Sequence, residues 1–232
     1  MDLTDSVAVV TGASSGVGAA TAKALGTAGC DVVLAARRED RLEEVAADVE
    51  GETLVVPTDV TDGAAVDAMV DAAVDTFEGI DVLVNNAAIL LGDPVAEADR
   101  DDLRRQVEVN LQGTMTATHA ALPALLDGDG GHVVVVSSMN ARSPVAGGSA
   151  YSASKAGVNA FSDSLRQELA DEQVRVTVVM PGPVQSEMRD WSNWEGRALQ
   201  PEDVAETLTF ALSRPDHVEF RDLTVNTTDK LG

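Results

Sequence analysis

Ser6-Val7-Ala8-Val9-Val10, followed directly by Thr11-Gly12-Ala13-Ser14-Ser15-Gly16-Val17-Gly18, is the stretch on which the fold turns. The first five residues make a short, mostly β-branched run of the kind a strand needs when both its faces are covered. After the glycine-rich turn, from Val17 to about Ala28, alanine and other helix formers predominate until Gly29 ends the run. A strand, a glycine turn and a helix in immediate succession can cradle an anion. Glycines let the backbone approach a pyrophosphate, and the helix N-terminus offers unpaired N–H groups and the positive end of its dipole. The spacing is G-x-x-x-G-x-G, and a βα turn needs glycine for its own geometry too, so the turn alone leaves both readings open.

Outward from this unit the same alternation continues. A strand at Asp31–Ala36 ends where a carboxylate would be expected to hold the 2′-hydroxyl of an adenosine ribose, but Ala36 is followed by Arg37 and Arg38. Two guanidiniums with no acid at that point suit a 2′-phosphate and favour NADP, with NAD as the alternative. These arginines could instead pair with Glu39, Asp40 or Glu43. Further helices are expected at about 40–49, 63–76, 100–122, from Tyr151 to 170, and at 201–212. Further strands are expected at 53–56, 80–84, 132–137, 174–179 and 223–225. Repeated βα units specify a doubly wound α/β fold: a parallel seven-stranded, Rossmann-like sheet with helices on both faces. The 232 residues fit one such domain, 1–232, and contain no internal repeat or linker.

Composition narrows the function. With 39 acidic residues against 16 basic, the chain carries a net charge of −23, which repels nucleic acid and anionic membranes. Only Lys23, Lys155 and Lys230 are lysines, and the acids are spread along the chain. A dispersed, lysine-poor acidic surface fits a halophilic protein kept soluble in concentrated salt, the alternative being an ordinary acidic protein. The lone Cys30 excludes an internal disulfide, and His119, His132 and His217 lack ligand spacing, so no metal is expected. No apolar run is long enough to span a bilayer and the first residues carry no basic leader, so a cytoplasmic protein is expected.

The chemistry is carried by Tyr151-Ser152-Ala153-Ser154-Lys155. On a helix, residues i and i+4 share a face, so the phenol and the ammonium can serve one site. A cation near the phenol favours the phenolate, which would bring Tyr151 from its usual pKa of about 10 toward neutrality. Tyr151 is the chain's single tyrosine, which makes a chance pairing improbable.

Together these motifs resemble the short-chain dehydrogenase/reductase family over nearly the whole chain. Thr11 to Gly18 resembles its cofactor loop and Asp59-Val60 its adenine contact. Asn85-Asn86-Ala87-Ala88 resembles its N-N-A-G element, with alanine replacing the last glycine. Pro181-Gly182-Pro183-Val184-Gln185-Ser186 resembles the P-G-x-V-x-T segment at the nicotinamide end. Ser138 precedes Tyr151 at the family's spacing, and Asn110 stands where the family's tetrad asparagine does. The resemblance implies a catalytic set of Asn110, Ser138, Tyr151 and Lys155. It also implies a cofactor site of Gly12, Ser14, Ser15, Gly16, Val17, Gly18, Arg37, Arg38, Asp59, Val60, Asn86, Ala87, Tyr151, Lys155, Pro181, Gly182, Val184 and Ser186. In that set Tyr151 is the acid or base, Ser138 holds the substrate oxygen, Lys155 lowers the Tyr151 pKa and binds ribose hydroxyls, and Asn110 holds a water on a proton path. Ser138-Met139-Asn140-Ala141 departs from the usual S-S-x-A-G, which leaves the substrate-side loop open.

The segment 185–200 reads as a substrate lid, with Met188, Trp191 and Trp194 on one helical face; subunit packing is the alternative. Arg142, Arg189 and Arg197 are candidates for a substrate carboxylate or for solvated surface. The last third of the chain resembles NADP-dependent 3-hydroxy acid and serine dehydrogenases more weakly. That implies a small 3-hydroxy acid as substrate. On the Tyr151 helix, Ala153, Ala156, Ala160 and Ser164 form a small-residue face opposite the stripe Val158, Phe161, Leu165 and Leu169. With the 100–122 helix, and by the resemblance, this implies a homotetramer. The leading expectation is an NADP(H)-dependent oxidoreductase acting on a carbonyl or secondary alcohol. The alternatives are a 3-oxoacyl thioester reductase and a nucleotide-sensing protein without catalysis.

Overall fold

The computed structural model describes residues 2–128, 130–189, 191–192 and 195–228. Seven strands, β1 (Val7–Thr11), β2 (Asp31–Ala36), β3 (Thr53–Pro57), β4 (Val82–Asn85), β5 (Gly131–Val136), β6 (Val174–Pro181) and β7 (Asp222–Val225), pair in the order β3-β2-β1-β4-β5-β6-β7. Every pairing is parallel. The central strands are buried along their length, β1, β5 and β6 at every residue. This is why their sequences are continuous valine runs and not alternating ones.

The alternation appears across the sheet instead. On one face Ala8, Val10, Leu34 and Val134 pack against α1 (Gly16–Thr27), α2 (Glu39–Ala46) and α7 (Pro201–Leu212). On the other, Val9, Val33, Leu83 and Val135 pack against α3 (Gly63–Phe77), α5 (Gly113–Asp127) and α6 (Ser149–Glu168). Each fully buried valine or leucine contributes about 1.5–3 kcal/mol, so the two cores fix the register. Among the described residues, no helix is long and apolar enough to cross a membrane.

The expected helix at 100–122 is not one helix. It divides into α4 (Arg100–Val107), a π-helical turn at Glu108–Gln112, and α5, which runs on through Pro123 to Asp127. The π turn is the insertion that brings Asn110 round to bury completely. Gly113 and Gly157 let the neighbouring chain come close: a Cβ on Gly113 would meet Val60 at 2.7 Å, and one on Gly157 would meet Leu111 at 2.9 Å.

Candidate active site

The residue that follows each of the first six strands, namely Gly12, Arg37, Thr58, Asn86, Ser137 and Gly182, lines one cavity of about 850 Å³. A parallel sheet delivers all its strand ends to one edge, so residues far apart in sequence meet there. Of the site residues expected from the sequence, all except Gly18 and Asn110 line this cavity.

At one end is the glycine turn. Gly12 and Gly16 have φ of +67° and +55°, the left-handed conformation that glycine adopts without strain. Gly18 acts one layer behind: a Cβ there would collide with the Gly12 carbonyl. Asn86 fastens the turn to β4 by donating its Nδ2 to the carbonyls of Thr11 (3.0 Å) and Gly12 (3.2 Å). The Thr11 hydroxyl accepts from the backbone N–H groups of Asn86 and Ala87 at 3.0 and 3.1 Å. Ser15 caps α1 without a side-chain hydrogen bond, and the first turn carries no acidic residue. The positive end of α1 therefore faces the cavity with its own donors uncommitted to a side-chain cap.

Arg37 and Arg38 stand beside this turn. Burial would raise the Asp59 carboxyl, but hydrogen bonds from Thr61 and the charges of Arg37 and Arg105 outweigh it and hold the group below the usual range. Arg38 does not pair with Glu39, Asp40 or Glu43. It donates to the hydroxyls of Ser14 (3.1 Å) and Ser15 (3.0 Å) and to the carboxylate of Glu187 (3.2 Å).

The other end holds Tyr151, Lys155 and Ser138. Lys155 is 3% exposed, and its Nζ donates to the Val136 carbonyl at 2.7 Å and lies 5.9 Å from the centroid of the Tyr151 ring. Ser137, at the end of β5, donates to Asn159 Oδ1 (2.6 Å) and to the Lys155 carbonyl (3.3 Å), locking α6 to the strand. Ser138 caps the short turn Met139–Ala141, accepting from the Asn140 N–H at 3.1 Å. Burial pulls the Lys155 ammonium down to about 8. Burial also pushes the Tyr151 phenol up, against a smaller opposing effect of its hydrogen bond with Ser138. In this structure burial, rather than Lys155, sets the direction of the Tyr151 shift. Desolvation of the phenolate outweighs an ammonium whose own charge burial disfavours and whose donor points at a strand carbonyl.

Asn110 lies behind the site. Its Oδ1 accepts from the Ile89 N–H (2.8 Å), and its Nδ2 donates to the Ile89 carbonyl (2.9 Å) and to Ser154 Oγ (3.1 Å). Ser154 in turn donates to the Tyr151 carbonyl at 2.7 Å. One turn earlier Gln106 accepts from the Leu91 N–H at 3.0 Å. The two amides hold the loop after β4 as a neighbouring strand would.

The segment 185–200, expected to be a lid, is a strap closed at its base. Val184 and Leu199 form a bridge, with the Gln185 N–H to Leu199 and the Leu199 N–H to Pro183 both at 2.8 Å. Between them the described residues form turns, not the expected helix. Trp191 Nε1 donates to the Ser186 carbonyl at 2.9 Å, and the Arg189 guanidinium lies 5.5 Å from the Trp191 ring centroid. Trp194 lies outside the described residues. Met188, Arg189 and Trp191 all line the cavity. Arg142 does not; it pairs with Asp222 at 2.6 Å.

Sequence reasoning missed Glu187, Ser154 and the Val136 carbonyl as parts of this site. No motif marks them, although Ser154 lies between Tyr151 and Lys155 and could have been found from its place on α6. The cavity, its turn of free N–H donors and its two arginines fit a nicotinamide dinucleotide with its phosphates at the glycine turn. Among the described residues, no group of three His, Cys, Asp or Glu side chains is placed to hold a metal ion.

Comparison with known proteins agrees with this geometry. The family model described as short chain dehydrogenase matches residues 6–196. An uncharacterized oxidoreductase of Staphylococcus aureus is 37% identical over 225 residues, covering 96% of this chain and 97% of that protein. Among solved structures, a serine dehydrogenase complexed with NADP+ superposes with a TM-score of 0.89 at 31% identity, covering 94% of each chain. A 3-ketoacyl-(acyl-carrier-protein) reductase from Brucella melitensis complexed with NADH gives a TM-score of 0.89 at 28% identity, covering 97% of this chain and 98% of the other.

Proposed function

The chain belongs to the short-chain dehydrogenase/reductase family and is an oxidoreductase; from that premise we propose that it is NADP(H)-dependent and acts on a carbonyl or secondary alcohol. The observation that carries this reading is the continuity of one cavity from Arg37 and Arg38 to Tyr151 and Lys155. The first end offers two cations and no β2 carboxylate to a ribose 2′-phosphate, and the second offers a proton donor in a dry site. Both NADP+ and NADH occur among the similar structures, so the arginines, not the fold, argue for NADP.

Bound nicotinamide would supply or accept the hydride. Gly12, Ser14, Ser15, Gly16, Val17, Asp59, Val60, Asn86 and Ala87 would hold the adenine and diphosphate portion, and Pro181, Gly182, Val184 and Ser186 the nicotinamide end. Negative charge developing on the substrate oxygen is met by the Ser138 hydroxyl, and Tyr151 gives that oxygen its proton. With its phenol pushed up by burial, Tyr151 stays protonated at neutral pH, the form an acid needs. In the oxidative direction Tyr151 must first lose its proton, so that rate rises with pH. Lys155, its Nζ held at the Val136 carbonyl, would bind the ribose hydroxyls. Asn110 acts by fixing the π turn and Ile89, with its side-chain amide committed to that task. Tyr151→Phe should keep NADPH binding, read by fluorescence titration, and lower kcat by about 10²- to 10⁴-fold. Near wild-type turnover in that variant would remove Tyr151 from the chemistry and favour nucleotide sensing without catalysis.

For the substrate, a small 3-hydroxy acid or its keto form would direct its carboxylate toward Arg189 on the strap. A 3-oxoacyl thioester would instead use the apolar wall of Ile89, Leu90, Val109, Met139, Val145 and Met188. Oxidation of 3-hydroxy acids with NADP supports the first; reduction confined to neutral ketones and acyl thioesters supports the second. The exposed small-residue face of α6, Ala153, Ala156, Ala160 and Ser164, with exposed Val107 and Met115 on α4 and α5, is read as a subunit interface of a homotetramer. The protein is read as halophilic on its dispersed, lysine-poor acidic charge, and as cytoplasmic on its lack of a long apolar run.

A further inference from the structure

We propose that Glu187, on the strap, decides between the two nicotinamide cofactors by competing with the 2′-phosphate for Arg38. The inference rests on the reading of this cavity as a dinucleotide site. Arg38 is a hub: one guanidinium nitrogen donates to Ser14 and Ser15 on the glycine turn, and the other pairs with Glu187 Oε2 at 3.2 Å. Glu187 itself lines the cavity, one residue beyond Ser186, whose carbonyl anchors Trp191. The second arginine has a carboxylate of its own, since the charge of Arg37 acts on Asp59. Of the two, Arg38 is the one in an ion pair, so a 2′-phosphate that takes Arg38 meets Glu187 as its competitor.

Glu187 is the one that can yield. Its side chain is 58% exposed and that of Arg38 is 46% exposed, so the pair is a solvated one of the weakly held kind. Asp59 is tied down by the Thr61 N–H and hydroxyl at 3.0 and 2.8 Å. A phosphate monoester carries up to two charges and three acceptor oxygens against the single charge of a carboxylate, and arginine matches it with two donors. It would take Arg38, and the Glu187 carboxylate, left beside an anion, would turn away into solvent. When the ribose carries a hydroxyl, no anion competes. Glu187 can then remain and accept from that hydroxyl, supplying from a segment some 150 residues downstream the carboxylate that is missing at the end of β2.

The test uses the whole protein with Glu187→Gln, and Glu187→Ala as a second variant, both checked for folding by circular dichroism. Dissociation constants for NADPH and NADH are measured by nicotinamide fluorescence, and for adenosine 2′,5′-bisphosphate and adenosine 5′-diphosphate by calorimetry. In the lowest salt at which circular dichroism shows wild type and variants folded, both variants should bind NADPH and the bisphosphate roughly five- to tenfold more tightly than wild type, with NADH unchanged or weakened, and molar salt should shrink the difference. An unchanged ratio of NADPH to NADH affinity in both variants overturns the role of Glu187, even if the wild type prefers NADPH. A wild type that prefers NADH, with variants that gain NADPH, supports the role of Glu187 while overturning the NADP preference. Failure of the wild type to bind either nucleotide overturns both.

Discussion

Lys155 shows what a functional residue does to the stability of its host. It is fully buried, its Nζ meets one strand carbonyl, and burial lowers its pKa from 10.5 to about 8. Between pH 8 and 10.5 the unfolded chain keeps a proton that the folded chain has released, so this group makes stability rise with pH across that window. Below pH 8 both states are charged and the folded state bears the full desolvation cost, about 3 kcal/mol by that shift as an upper figure. Lys155→Met should therefore melt a few degrees higher than wild type at pH 7 without added nucleotide while losing turnover. A lower melting temperature would show that the bond to Val136 matters more than the charge. The spacing of Tyr151 and Lys155 is legible in the sequence because a helix fixes i and i+4. Their pKa values are not, because these depend on how much water the surrounding strands and loops exclude.

At the scale of elements, the π turn has the most consequence. Asn110 gives both its amide groups to Ile89, and Gln106 holds Leu91, so a loop that carries a cavity wall is secured by one short stretch of α4 and its continuation. Asn110→Ala should leave the Ile89 N–H and carbonyl without partners, lower stability by about 1–3 kcal/mol for each buried group so exposed, and speed hydrogen exchange at Ile89. If exchange at Ile89 is unaltered, the amide does not hold the loop. All seven strands and most helices are legible in the sequence, most of them as valine-rich runs and alanine-rich segments. The break at Glu108–Gln112 is not, because α4, the π turn and α5 join without any proline or glycine before Gly113 to mark it. The strap is less legible: Met188 and Trp191 have helical spacing, but the described residues between Val184 and Leu199 form turns.

Across the whole molecule the dominant quantity is charge. The few surface pairs formed, such as Lys23 with Asp48 at 2.7 Å and Arg41 with Glu44 at 3.4 Å, leave a net charge of −23. Self-repulsion of that size opposes folding, and would oppose the proposed pairing of α6 with a second subunit, and salt relieves it by shortening the reach of each charge to about 3 Å at 1 M. Transfer from molar to millimolar salt should dissociate a tetramer and then diminish its helical circular dichroism, with sedimentation following the first step; a protein unchanged in dilute buffer is not adapted to salt. The closed base of the strap has a different bearing. Because Val184 and Leu199 are paired, the residues between them enter and leave the body of the protein at one point. A change in the length or composition of that segment is therefore expected to leave the strands, and the position of Tyr151 on α6, where they are.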